Sequence, residues 1–138
     1  MNHKDATSSI KPEILPDLPV RKAERIARDS GKAEALATSA QERARKYRKA
    51  LGDTWGHVQT FARMLRSYAR RQYTKVPWKT IALVTAALLY FIMPFDALPD
   101  FLFGGFIDDA AILAAVFRQV RTELDAFLEW ERTNVPVP

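Results

Sequence analysis

Sixteen consecutive residues, Thr80 to Phe95, carry no charge. They are apolar on every side rather than along one stripe, so a helix built from them must be surrounded by protein or by lipid. At a helical rise of ~1.5 Å per residue they reach about 24 Å, against a hydrocarbon core of ~30 Å. Pro77 to Lys79 would bring the segment to borderline spanning length. Trp78 and Lys79 stand where an interfacial aromatic and a snorkelling lysine would stand.

The residues after this segment predict a hairpin. Pro94 and Pro99 break the helix, and Gly104 with Gly105 permits a tight reversal. A last helix is expected from about Phe106 to Glu131, because Leu113, Phe117, Val120, Leu124 and Phe127 step by fours and threes. Ala82 and Ala86 are four apart on the first arm, as are Ala110/Ala114 and Ala111/Ala115 on the second. That spacing lets helices approach closely in lipid, although alanine is also simply a good helix former. Only eight apolar residues separate Asp109 from Arg118, about 12 Å of helix, too short to cross a bilayer. Three arrangements remain: a second arm that starts near Phe101 and buries Asp108 and Asp109, a shallow re-entrant hairpin, or a small soluble bundle.

Before the apolar segment the pattern is amphipathic. Tyr47, Leu51, Trp55, Val58, Phe61, Leu65 and Tyr68 fall on one helical stripe, with arginines largely opposite. Gly52 and Gly56 weaken its middle, and Asp53 or Thr54 could cap a second helix, so one kinked helix or two is expected. From Ala40 to Thr80 there are eleven Lys or Arg against Glu42 and Asp53, whereas Tyr90 to Glu131 holds eight acids against Arg118 and Arg121. A basic half followed by an acidic one points to an anionic partner surface, phospholipid or nucleic acid, unless the charges only solvate a helix face. The aromatics lie opposite the arginines, as packing rather than base-stacking groups, and no nucleic-acid motif is present. Anionic lipid is therefore the expected partner, with Arg63, Arg66, Arg70, Arg71, Lys75 and Lys79 facing it.

The expected organisation is all-α. Residues 1–31, with Pro12, Pro16 and Pro19 and no sustained period, form a flexible arm; 32–75 a basic amphipathic region, one kinked helix or a pair; 76–131 an apolar helical hairpin with a Pro/Gly/Asp-rich turn; 132–138 a disordered tail.

Four aspartates, Asp96, Asp100, Asp108 and Asp109, are the only charged residues between Lys79 and Arg118. Asp96 can cap a short turn at Ala97, and Asp108 or Asp109 can cap the last helix. Four carboxylates gathered at one turn would otherwise repel, unless one is protonated or a cation intervenes. Oxygen-only ligands suit a hard ion, Mg2+ or Ca2+ or Mn2+, and with only His3 and His57 in the chain zinc is not expected. Pairing with Arg63, Arg66 or Arg70 is the internal alternative.

The run Tyr90-Phe-Ile-Met-Pro94-Phe-Asp96-Ala-Leu-Pro99-Asp100, with Gly105-Phe-Ile-Asp108-Asp109 beyond it, resembles the signature of the YkvA-like domain of unknown function. The resemblance covers roughly Trp78 to Phe117, with Met93 where the family often has a small residue. It implies a membrane-associated helical hairpin, structured by Pro94, Pro99, Gly104 and Gly105, and brings no activity, substrate or required cofactor.

No cysteine, nucleophile elbow or phosphate loop is present, so an enzyme is not expected. The expected role is a non-enzymatic organiser or accessory at the inner leaflet of a bacterial cytoplasmic membrane. Both hairpin ends would face the cytoplasm under the positive-inside rule, with anionic lipid and another membrane protein as partners. The alternative is a soluble helical bundle whose aspartate-rich turn binds a divalent cation.

Overall fold

Several helices start or stop on a local signal. In the computed structural model, which describes residues 18–92 and 112–134, Pro19 immediately precedes α1 (Val20–Ala27). Asp29 caps α2 (Ser30–Lys46), its carboxylate accepting the Lys32 N–H at 3.1 Å. A single turn, α3 (Arg48–Leu51), ends on Gly52 at φ 58° and ψ −128°, a backbone conformation that suits glycine. Next come α4 (Thr54–Ala69) and α5 (Trp78–Ile92), the latter opening as the Pro77 carbonyl accepts the Thr80 and Ile81 N–H groups. Helical residues 112–119, termed α6, lead through Val120 into α7 (Arg121–Asn134), and the Val120 and Leu124 N–H groups keep i to i−4 bonds across the joint. The chain is all-α, as its periodicity predicts.

The organising element is α5. Every residue from Thr80 to Leu89 is buried, as is Phe91. The expectation of a transmembrane arm is corrected here, since no helix among the described residues is long and apolar enough to cross a membrane. The apolar circumference of α5 is satisfied by protein instead, because the other helices turn their own stripes toward the same core. Leu51, Val58, Phe61 and Leu65 do so from the amphipathic region, and Leu113, Val116, Val120, Leu124 and Phe127 from α6 and α7. The stripe of the amphipathic region is thus spent inside the molecule, burying side chains that contribute about 1.5–3 kcal/mol each. Thr85, fully buried in α5, satisfies its hydroxyl by donating to the Ile81 carbonyl at 2.7 Å.

Around α5, helices α2 and α4 form an antiparallel pair. Gln59 reaches the Gln41 carbonyl, Arg66 reaches Thr38, and Arg70 reaches Glu34, so the contacts run in opposite chain directions. The contact face of α2 is made of Ala33, Leu36, Ala37, Ala40 and Ala44, whose small side chains permit a close approach. The last part of the expected flexible arm differs too. It forms α1, which packs on α5 and buries Ala23, Glu24 and Ala27. At the other end, residues 132–134 of the expected disordered tail continue α7, with Thr133 donating its hydroxyl to the Glu129 carbonyl.

Candidate functional site

The α4 helix ends in a backbone motif that ordinarily calls for glycine. The Arg71 N–H donates to the Tyr68 carbonyl at 3.0 Å, and the Gln72 N–H to the Ser67 carbonyl at 2.9 Å. This is the paired closure of a Schellman cap, whose left-handed residue here is Arg71 at φ 59°. An L-residue with a β-carbon is disfavoured there by roughly 1–2 kcal/mol. The turn beyond it buries Tyr73 and Val76 and delivers the chain to Trp78 at the head of α5.

Trp78 is the meeting point of three elements. Its Nε1 donates to Glu24 Oε2 on α1 at 3.2 Å, its ring lies 6.5 Å from that of Tyr68 on α4, and the Arg28 guanidinium sits 4.9 Å from its centroid. Between them is a cavity of about 360 Å³, lined by Arg28, Ser30, Tyr68, Arg71, Thr74 and Trp78, together with Ala27 and Ala69. Among the described residues no carboxylate lines it. The nearby acids are occupied: Glu24 by Trp78, Asp29 by the α2 cap, and Glu34 by Arg70 at 2.8 Å. The Arg70 hydrogen bond holds the Glu34 carboxyl below its usual value.

The six basic residues singled out from the sequence divide into two groups. Arg63 binds Glu131 on α7, Arg66 donates to Thr38 Oγ1 at 2.9 Å and lies 3.9 Å from Glu34, and Arg70 binds Glu34. These three tie α4 to its neighbours. Arg71, Lys75 and Lys79 are exposed and form no ion pair among the described residues. Sequence reasoning missed the bases beside them. Arg21, Lys22, Arg25 and Arg28 stand exposed on α1, a helix assigned to the flexible arm because its buried stripe is mostly alanine. The Ala23/Ala27 spacing after Pro19 was the available signal.

At the opposite end of α4, His57 stacks on Phe117 of α6 with ring centroids 4.0 Å apart. Burial lowers its pKa from the ordinary 6.5; Asp53 opposes the shift and Arg121 adds to it. The proposed aspartate site (Asp96, Asp100, Asp108, Asp109) and the turn residues Pro94, Pro99, Gly104 and Gly105 lie outside the described residues. Among the described residues no group of three or more His, Asp or Glu is placed to hold a metal ion.

The profile of a family described as a protein of unknown function, DUF1232, matches residues 80–115. Over 75 residues the chain is 43% identical to the uncharacterized membrane protein YkvA of Bacillus subtilis (strain 168), an alignment covering 54% of this chain and 71% of that protein. The chain belongs to the YkvA-like family. No solved structure matches it. Within the described residues, the YkvA-like segment takes in most of α5 and the start of α6, the inside of the bundle rather than its surface. The Trp78 cavity is built mainly from residues before that segment, and nothing in the family description points to an enzymatic activity.

Proposed function

We propose that the chain is a membrane-surface protein, a helical bundle that rests a basic face on anionic phospholipid at the inner leaflet of a bacterial cytoplasmic membrane. There it serves as a non-enzymatic accessory or organiser, with its helices on the cytoplasmic side and another membrane protein as a second partner. One observation carries this reading. Arg21, Lys22, Arg25 and Arg28 on α1, with Arg71, Lys75 and Lys79 around the start of α5, are all exposed and free of carboxylate partners among the described residues. The α1 bases occupy the side of that helix opposite Ala23 and Ala27, so they stand out together. Bases held close to an anionic leaflet are worth about 1 kcal/mol each, so a cluster of this size suffices for attachment without any spanning helix. The half-buried Trp78 beside them is the residue type favoured at the headgroup level. The family relative named a membrane protein supports the same reading.

Membrane fractionation of cells expressing the full chain tests it. The protein should pellet with membranes at low salt and leave them in high salt or alkaline carbonate, since the attraction is ionic and screened. Retention through carbonate would mean lipid embedding and would overturn the surface reading. A protein found in the low-salt supernatant, or one pelleting only with nucleic acid, would overturn it too.

A further inference from the structure

We infer that the cavity between α1, the end of α4 and the head of α5 binds a phosphomonoester, with Arg28 and Arg71 as its two cationic ligands. The inference deepens the surface-association reading and rests on it for the lipid source of that phosphate.

Three features support this assignment. The cavity, about 360 Å³, is of a size to take a headgroup or a small soluble phosphate. Its described lining includes two arginines and no carboxylate, and the acids nearby are already bound elsewhere. Planar guanidiniums match phosphate oxygens two at a time, and the hydroxyls of Ser30, Tyr68 and Thr74 supply further donors. Two fixed positive charges balance a monoester, which carries about −1.5 to −2 near neutral pH, better than the single charge of a diester.

The backbone supplies the independent argument. Arg71 occupies the left-handed position of the cap, where glycine would relieve the strain. A residue held in a disfavoured conformation at the wall of a cavity is a mark of function rather than of stability. Arg28 is likewise held in place by the Trp78 ring rather than by an acid, which orients the guanidinium while leaving its charge unneutralised.

The test compares sedimentation of the full chain with phosphatidylcholine vesicles doped with either phosphatidic acid, a monoester, or phosphatidylglycerol, a diester, at matched surface charge. Glycerol 3-phosphate is titrated separately by calorimetry. The wild type should prefer phosphatidic acid, and R28Q/R71Q should lose that preference by about tenfold or more. K22Q/K75Q, which removes the same charge outside the cavity, should weaken both vesicle types alike. If the wild type binds both vesicles equally and the two double variants weaken it equally, the cavity assignment fails while the surface reading stands. If no vesicle binds but glycerol 3-phosphate does, and R28Q/R71Q abolishes it, the cavity assignment holds and the surface reading fails. Binding to neither overturns both. Arg71→Gly separates structure from binding: its melting temperature should rise by a few degrees as the left-handed strain is relieved. Its preference for phosphatidic acid should fall, and a variant that kept the preference would remove Arg71 from the site.

Discussion

Arg63 on α4 and Glu131 on α7 form a two-pronged ion pair, with Nε 2.7 Å from Oε2 and Nη2 3.2 Å from Oε1. The residues are 68 positions apart, so the pair fixes how the last helix docks. Their side chains are 39% and 21% exposed, which places the pair at the rim of the core, where water weakens it. A double-mutant cycle with Arg63→Gln and Glu131→Gln should give a coupling of about 0.5–1 kcal/mol in urea unfolding, falling with added salt. Arg63→Gln alone should leave vesicle binding unchanged, since its charge is already engaged. A large loss of lipid binding would return Arg63 to the membrane face.

Gly52 and Gly56 lie four residues apart and should respond to alanine in opposite directions. Both have open space where a β-carbon would be added. At Gly52, however, φ 58° with ψ −128° is strained for any L-residue, and Gly52→Ala should destabilise by about 1–3 kcal/mol. Gly56 sits inside the first turns of α4 in helical geometry, so Gly56→Ala should stabilise by about 0.5–1 kcal/mol. Thermal melts of the two variants check the pair. Shifts of the same sign would mean that the α3–α4 joint is not formed as described.

Local features of this kind are what a single chain makes legible. The α4 and α7 stripes could be read because Phe61, Leu65, Leu124 and Phe127 are large, apolar and regularly spaced, and all four are buried. The break at Gly52 was readable for a local reason, the conformational freedom of glycine. The position of α5 was not, because a 15-residue helix that is uncharged after Lys79 satisfies lipid and protein interior equally. What decides between them is whether enough other stripes exist to cover it, which is a property of the whole bundle. The Trp78 cavity was hidden for two further reasons. Its α1 wall is anchored by alanines that hardly register as a stripe, and its Arg71 cap lacks the glycine that would have marked the turn. The aspartate turn, the most distinctive part of the sequence, lies outside the described residues.

Leu88 offers the sharpest test of where α5 resides. It is fully buried in the centre of the bundle. Truncation to alanine should cost about 2–5 kcal/mol, through lost burial and the cavity left behind. The loss should appear in detergent-free buffer by denaturant unfolding, with a lower midpoint. A helix facing lipid would show no such cost in water, because its wild-type form would need detergent to remain monodisperse. Stability unchanged by Leu88→Ala would therefore contradict the core position of α5.

His57 should make stability depend on pH below neutrality. Burial against Phe117 disfavours its charged form, so its folded pKa lies under the 6.5 of the free side chain. Between those two values the unfolded chain binds the proton and the folded chain does not. Stability therefore rises with pH across that window, is fully present above 6.5, and is lost as pH falls through the folded pKa. Asp53 limits the effect by favouring the charged form, whereas Arg121 reinforces it. His57→Phe keeps an aromatic ring on Phe117 and removes the titration, so its unfolding free energy should be flatter than the wild type's below 6.5 and parallel to it above. Asp53→Asn should steepen the wild-type slope, and Arg121→Gln should reduce it. Identical pH profiles for wild type and His57→Phe would assign the acid sensitivity to the carboxylates instead.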